Sequence, residues 1–218
     1  KCLEYRSKLG CYGRPAARKL HLLFQGYKRE DIAAGLQKAI EEVGSTLIQK
    51  AAQKYNCNKV CLAGGLFANV RLNQVILELL EIKDIYIHPH MGDGGVAVGA
   101  ALALWAEENE RMGKAIAPQK LNHAYLGPEF NNEEIELALK ENNLDYVHLE
   151  NAEEEIARLL VQGKVVARFN GKMEYGPRAL GNRSILYQAT DPQVNDWLNK
   201  RLQRTEFMPF APIILFEE

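Results

Sequence analysis

Two short apolar runs, separated by helix-like periodicity, constrain the fold of this 218-residue chain more than any other feature. Residues 59–63 and 84–88 have the length and character of buried strands. Apolar residues recur at helical spacing over 31–55, about 68–80 and 96–110, so a helical segment precedes, separates and follows the two runs. This alternation predicts a parallel sheet with helices on its faces. Because two strands are too few for a stable sheet, we expect further strands upstream of this chain.

The second half of the chain repeats the alternation after a connector. Residues 111–130 contain glycines and prolines that interrupt regular structure. Beyond them we predict helices over 132–141, 152–162 and 194–202, and strands over 145–149, 164–169, 184–188 and 210–216. The basic residues 1–28 are predicted to form an irregular lead-in, because Gly10, Gly13 and Pro15 break their pattern.

Composition and charge exclude several classes of protein. Hydrophobic residues make up 47% of the chain and charged residues 25%, as in ordinary globular domains. The net charge of -1 offers no general attraction to nucleic acid, and no apolar run is long enough for a membrane span. The four cysteines fit no zinc ribbon or CxxC pair, so we expect reduced structural thiols in a cytoplasmic protein, with Cys57 and Cys61 buried beside a strand.

A double glycine follows the first predicted strand. Gly64 and Gly65 lie at a strand-to-helix turn, and Asn69 follows at the start of the next helix. Glycines let backbone N–H groups approach a ligand closely, and a helix N-terminus favours an anion. The pattern is neither a GxGxxG fingerprint nor a Walker loop, so nucleotide contact and a plain tight turn both stay open here.

A second glycine cluster follows the second predicted strand. Asp93 lies between Gly92 and the pair Gly94 and Gly95, at the strand's carboxyl end, where ligands collect in open α/β sheets. Its carboxylate would either bind a metal or cap the following helix. The neighbouring residues 88–90 place two histidines two positions apart, which is a poor spacing for a joint metal pair.

The segment 169–184 combines glycines, a proline and two arginines five residues apart. Arg178 and Arg183, together with Asn182 and Ser184, supply the forked and short polar donors that suit a phosphate group. The alternative is a solvated basic face, but such a face rarely interleaves glycine and proline with its arginines. The pattern therefore favours an anion site.

Taken in order, these segments resemble the O-carbamoyltransferases of antibiotic and nodulation-factor biosynthesis. The most specific stretch is Met-Glu-Tyr-Gly-Pro-Arg-Ala-Leu-Gly-Asn-Arg-Ser over residues 173–184. Residues 61–65 with Asn69, residues 92–95 and residues 209–212 occur in the same order as the family's other motifs. The resemblance extends from about Asp31 to the end of the chain.

The resemblance implies an α/β fold with two domains, both of which we expect to be incomplete in this chain. Residues 1–115 would form the second half of an actin-like ATPase (ASKHA) domain. Residues 116–218 would form part of a smaller domain similar to threonylcarbamoyl-adenylate synthase. The metal-binding histidines of the family would precede this chain.

The same resemblance implies the chemistry. The smaller domain would convert carbamoyl phosphate and ATP into carbamoyl-adenylate, with Arg178 and Arg183 as catalytic residues and Asn182 and Ser184 as phosphate ligands. The larger domain would transfer the carbamoyl group to a hydroxyl of a small molecule such as a sugar or antibiotic. It would contact nucleotide through Gly64, Gly65 and Asn69, and Asp93 would bind a divalent metal, expected to be iron. No nucleic acid or membrane partner is implied, and a homodimer is compatible with the family.

Two other functions are compatible with parts of the pattern. A non-catalytic nucleotide-binding or regulatory α/β module would keep the glycine turn at Gly64 but would not need the paired arginines. A sugar kinase on the actin-like fold is a weaker alternative, because the motif at 173–184 has no place in it.

Overall fold

The computed structural model describes residues 8, 10–117, 121–190, 193–203, 210–215 and 217. The chain divides into two compact units, Lys1–Arg111 and Met112–Glu218. Each unit combines helices with a short two-stranded sheet. The mixed α/β character predicted from the sequence is therefore confirmed. Within the described residues, no helix is both long enough and apolar enough to cross a membrane.

The first unit follows the predicted alternation closely. Its elements are α1 (Gly13–Leu23), α2 (Arg29–Tyr55), β1 (Lys59–Leu62), a 3-10 turn (Gly65–Ala68), α3 (Val70–Leu77), β2 (Asp84–Ile87), a second 3-10 turn (Asp93–Gly95) and α4 (Val96–Arg111). Strands β1 and β2 pair in parallel, with Lys59 opposite Asp84 and Leu62 opposite Ile87. The predicted parallel pairing is confirmed.

Two expectations for the first unit are wrong. Residues 13–23 form α1 and not an irregular lead-in. Pro15 lies in the first turn of that helix, where backbone N–H groups have no helical partner to lose, so proline does not prevent the helix. Cys57 and Cys61 form no disulfide but are exposed, although the sequence predicted buried thiols.

The core of the first unit lies where α2 and α3 cover the sheet. Leu62, Leu72 and Ile76 are its buried members, and apolar side chains from α2 and both strands pack against them. A Cβ added to Gly44 of α2 would lie 2.8 Å from Cδ1 of Leu72. Glycine therefore lets α3 approach α2 closely enough to bury Leu72 completely. Burial of a leucine side chain stabilises a fold by about 1.5–3 kcal/mol.

The second unit contains α5 (Asn132–Glu141), α6 (Ala152–Val161), β3 (Val166–Phe169), β4 (Arg183–Leu186) and α7 (Val194–Arg201). Strands β3 and β4 pair antiparallel, with Val166 opposite Leu186 and Phe169 opposite Arg183. The predicted strands over 145–149 and 210–215 are absent from the described residues, and residue 216 lies outside them. A strand requires a partner for its backbone, and both segments keep exposed apolar side chains, such as Val147 at 81% and Ile213 at 73% exposure.

Candidate functional site

The glycine turn after β1 is attached to the loop after β2. The backbone N–H of Gly64 donates to the carbonyl of Met91 at 2.7 Å. Gly64 has a φ of 112°, which favours glycine, and a Cβ added to Gly64 or Gly65 would meet no atom within 4 Å. The turn therefore faces open space, as a ligand-binding turn requires.

The second glycine cluster is shaped by close packing against a histidine. A Cβ on Gly95 would lie 2.1 Å from the His90 carbonyl oxygen, and a Cβ on Gly94 would lie 2.0 Å from Nε2 of the same residue. Gly95 therefore requires glycine for a steric reason, and a side chain at Gly94 would displace the imidazole. This role of the cluster was not predicted, because sequence alone does not show which residue faces a glycine.

A cavity of about 330 Å³ lies between the two glycine clusters. Gly64, Asp93, His88 and His90 are among the residues that line it. The parallel pairing of β1 and β2 brings their carboxyl ends to one edge, which explains why residues 29 positions apart meet here. Of the residues predicted for this unit, the structure brings Gly64 and Asp93 to one cavity.

Asn69 has a different environment from the one predicted. Its Oδ1 accepts from the backbone N–H of Leu72 at 3.1 Å, which caps α3. Its amide also pairs with Gln37 of α2, donating to Oε1 at 2.8 Å and accepting from Nε2 at 3.3 Å. Asn69 does not line the cavity. Its amide holds α3 against α2, and the nucleotide-contacting role stays a prediction.

Asp93 lies inside the second 3-10 turn, whose cap position is Gly92. Among the residues that the structure describes, no group of three or more histidine, cysteine or carboxylate side chains could hold a metal ion. These residues alone therefore do not fit an iron site. Asp93 as one metal ligand stays a prediction.

In the second unit, the segment 170–182 connects β3 to β4 and is organised around Glu174. One carboxylate oxygen, Oε1, accepts from the backbone N–H groups of Asn182 at 2.7 Å, Arg183 at 2.8 Å and Leu180 at 3.3 Å, and from the Ser184 hydroxyl at 2.8 Å. Four donors converge on one atom. We call residues 170–184 the Glu174 loop.

The electrostatics of the Glu174 loop favour the ionised carboxylate. Burial raises the pKa of Glu174, but hydrogen bonds from Arg183 N–H, its own backbone, Ser184 hydroxyl and Asn182 N–H outweigh burial and lower the pKa from 4.5 to about 2. The carboxylate is thus negative throughout the physiological pH range. It fills the nest of N–H groups that an external anion would otherwise enter.

Arg183 is folded back onto its own loop. Its guanidinium donates through Nη1 to the carbonyl of Asn170 at 2.7 Å and through Nη2 to that of Gly171 at 2.9 Å. The same group stacks on Phe169, 3.6 Å from the ring centroid. This fork binds two carbonyl groups of the loop, and the contact of Arg183 with phosphate stays a prediction.

Asn182 and Ser184 are likewise used inside the loop. The Asn182 amide donates to the Lys172 carbonyl at 2.8 Å. Ser184 is 5% exposed, and its hydroxyl accepts from the Gly181 N–H at 2.9 Å while it donates to Glu174. Three of the four predicted phosphate residues therefore hold the loop together.

Arg178 lies between Glu174 and residues 182–184, which are joined by hydrogen bonds. It is half-buried, and Lys172 nearby in the loop is exposed. Gly176 and Gly181, with φ of 116° and 98°, flank the residue and supply turns that other residues rarely adopt. The turns and the anchored ends together fix the stretch of backbone that carries the Arg178 guanidinium. Its contact with phosphate stays a prediction.

The predicted connector supports the Glu174 loop from one side. Gly127 N–H donates to the Met173 carbonyl and Met173 N–H to the Pro128 carbonyl, both at 3.0 Å. The Tyr125 hydroxyl donates to the Leu180 carbonyl at 2.8 Å. A Cβ on Gly127 would lie 2.7 Å from Cβ of Met173, so this glycine is required for close approach. The sequence predicted only an irregular connector over residues 111–130.

Comparison with known proteins identifies the family. A model of the carbamoyltransferase N-terminus matches residues 16–102, and a model of the carbamoyltransferase C-terminus matches residues 157–218. Together these matches cover most of the chain and include the cavity of the first unit and the whole Glu174 loop. The chain belongs to the carbamoyltransferase family, as the sequence motifs predicted.

Curated relatives are similar over most of this chain. An uncharacterized protein of Synechocystis is 39% identical over 195 residues, which are 86% of this chain and 31% of that protein. An uncharacterized protein of Methanocaldococcus jannaschii is 37% identical over 196 residues, 87% of this chain and 32% of that protein. Nodulation protein NolO of Bradyrhizobium diazoefficiens is 31% identical over 222 residues, 98% of this chain and 40% of that protein. The chain thus spans about a third of the length of these relatives.

Proposed function

We propose that this chain takes part in moving a carbamoyl group from carbamoyl phosphate to a hydroxyl of a small molecule, with ATP as co-substrate and carbamoyl-adenylate as intermediate. Membership of the carbamoyltransferase family supports the transfer. The Glu174 loop is the observation that supports the use of carbamoyl phosphate and ATP. This segment matches the family, and hydrogen bonds within the loop hold the ends of the stretch that contains Arg178 and Lys172.

The proposed reaction balances in two stages. Water cleaves carbamoyl phosphate and releases inorganic phosphate and carbamate. A carbamate oxygen then attacks the α-phosphorus of ATP, and pyrophosphate leaves. In the second stage the acceptor hydroxyl loses its proton and attacks the carbamoyl carbon, and AMP leaves with the bonding electrons. Excluding bulk water after the first cleavage protects the reactive mixed anhydride.

Within this proposal the Glu174 loop handles phosphate. Arg178 and Lys172 offset negative charge on the phosphate groups, and the guanidinium of Arg178 provides the fork that a phosphate binds in a bidentate manner. Arg183, Asn182 and Ser184 shape the loop, and their direct contact with phosphate stays a prediction. The bonds of Arg183 and Ser184 to Glu174 and to carbonyl groups support this structural role.

The first unit is proposed to hold the nucleotide part of the intermediate. The open turn at Gly64 and Gly65 and the adjoining cavity of about 330 Å³ support this assignment. A ligand phosphate there would face backbone N–H groups at a strand-to-helix turn. The actin-like and adenylate-synthase-like assignments of the two units belong to the same proposal. A cytoplasmic location is also part of the proposal, because the exposed thiols of Cys57 and Cys61 stay reduced in that compartment.

The proposal is tested by pyrophosphate release from the intact protein. We expect release from ATP to require carbamoyl phosphate, and mass spectrometry of the quenched reaction to show carbamoyl-adenylate. Nucleotide binding without any carbamoyl phosphate-dependent release would contradict the proposal and favour the non-catalytic nucleotide-binding module.

A further inference from the structure

We infer that Glu174 is a positioning residue, which closes the base of the turn 175–179 and thereby sets where Arg178 meets phosphate. The inference rests on the proposed function for its chemical meaning and on the hydrogen bonds of Glu174 for its geometry. Glu174 lies within the motif over residues 173–184, but the sequence prediction assigned it no role. The sequence predicted phosphate binding by Arg178 and Arg183, because their guanidinium groups are strong donors.

The first support is the number of donors on a single atom. Oε1 of Glu174 accepts four hydrogen bonds, although a carboxylate oxygen presents two lone pairs. Such crowding is favourable when the acceptor carries full negative charge, because bonds to charged groups are roughly twice as strong as neutral ones. A neutral acceptor would hold the same groups less firmly.

The second support is where those donors lie along the chain. Glu174 immediately precedes the turn 175–179, and three of its donors, the backbone groups of Leu180, Asn182 and Arg183, follow the turn. The carboxylate therefore joins the two ends of a short excursion of the chain. Fixing both ends restricts the backbone that carries Arg178.

The third support is that the surroundings are anchored independently of Glu174. Arg183 binds the carbonyls of Asn170 and Gly171, and the β3–β4 pairing places Phe169 opposite Arg183. The Tyr125 hydroxyl binds the Leu180 carbonyl. Removing the carboxylate should thus loosen the turn without unfolding the unit.

The experiment compares Glu174→Ala, Glu174→Gln and the control Glu150→Gln, a change at an exposed carboxylate of the same unit. Each intact variant is assayed for carbamoyl phosphate-dependent pyrophosphate release and for transfer from pre-formed carbamoyl-adenylate. Hydrogen exchange of the amides of Asn182 and Arg183 reports the loop directly.

We expect Glu174→Ala to lower kcat/KM for carbamoyl phosphate by about ten- to a hundredfold, the effect of losing charge-assisted positioning. Glu174→Gln keeps an acceptor oxygen and should recover part of that loss. Transfer from carbamoyl-adenylate should stay within about twofold, and the two amides should exchange faster in Glu174→Ala. Glu150→Gln should match the unsubstituted protein in every assay.

Several results would overturn the inference. Unchanged amide exchange in Glu174→Ala would show that the carboxylate does not hold the turn. Equal losses in adenylate formation and in transfer would indicate general damage to the fold. A lower KM for carbamoyl phosphate in Glu174→Ala would mean that the carboxylate competes with the substrate. Faster exchange in a protein that never uses carbamoyl phosphate would instead refute the proposed function and leave the geometric role of Glu174 standing.

Discussion

The cavity of the first unit and the Glu174 loop of the second are both built from glycine-rich segments with polar side chains, but they use their donors differently. At Gly64 and Gly65 an added Cβ would meet nothing within 4 Å, so the turn faces open space. In the Glu174 loop, N–H groups at 180, 182 and 183 are taken by the chain's own carboxylate. One segment leaves room for a ligand, and the other supplies its own anion.

This contrast shows that glycine and arginine in a motif do not by themselves locate the ligand. Glycine serves three purposes in this protein: a positive φ at Gly64, close packing at Gly95 and turns on either side of Arg178. An arginine of such a motif also serves the fold, because Arg183 binds carbonyl groups of its own loop. Function in such a segment depends on which groups the chain has already satisfied internally.

Replacing Arg178 by lysine tests whether its guanidinium binds phosphate and should have the largest effect. Lysine keeps the charge but cannot form a bidentate fork, so we expect carbamoyl phosphate-dependent pyrophosphate release to fall by about ten- to a hundredfold, or about 1.5–3 kcal/mol. Transfer from pre-formed carbamoyl-adenylate should change little. Arg158→Lys, at an exposed arginine paired with Glu155, is the control and should leave both rates unchanged.

Arg183→Lys is the matched comparison for this first prediction. It should reduce stability more than the control Arg158→Lys does, because it removes two carbonyl contacts and the stacking on Phe169. Urea denaturation of both variants measures this ordering. Equal stability of Arg183→Lys and Arg158→Lys would contradict the internal role that we assign to Arg183.

Replacing Gly95 by alanine tests whether glycine in the first unit serves packing. The new Cβ would lie 2.1 Å from the His90 carbonyl oxygen, a backbone atom that cannot rotate away. We expect the free energy of unfolding to fall by about 1–3 kcal/mol, as at other overpacked sites. Urea denaturation measures this loss, and hydrogen exchange of the β2 amides shows whether it is felt in the sheet. Gly35→Ala on α2 has no neighbour within 4 Å of the new Cβ and should be neutral or stabilise the helix by up to about 1 kcal/mol. Equal effects of the two changes would contradict the packing role.

Acidification tests whether the charge of the Glu174 carboxylate stabilises the fold, and it should have the smallest effect of these changes. Because the pKa of Glu174 is lowered from 4.5 to about 2 in the fold, its ionised form stabilises the protein above pH 4.5. That contribution is lost as pH falls from 4.5 towards about 2. We expect the free energy of unfolding of the unsubstituted protein to exceed that of Glu174→Gln by about 1–2 kcal/mol at pH 6. This figure allows for the partial exposure of the carboxylate. More than half of this difference should vanish at about pH 3, and a constant difference would show that the charge is not involved.

Local signals in the sequence are enough to predict most of the regular elements and the family. Helical periodicity predicted α2, and the two apolar runs predicted β1 and β2 and their parallel pairing. These signals are local, because they depend on side-chain spacing within one element. The motif over 173–184 likewise pointed to the carbamoyltransferases, the family whose C-terminal model matches this part of the chain.

The pairing of polar groups, in contrast, could not be read from the sequence and required the tertiary structure. Gln37 pairs with Asn69 across 32 positions, and Glu174 meets donors six to ten positions away because the β3–β4 pairing returns the chain to it. Arg183 turns inward for the same reason, since carbonyl groups at the end of β3 lie within its reach. A sequence lists donors and acceptors, but hydrogen bonding acts over about 3 Å, so the assignment of partners depends on the folded path of the chain.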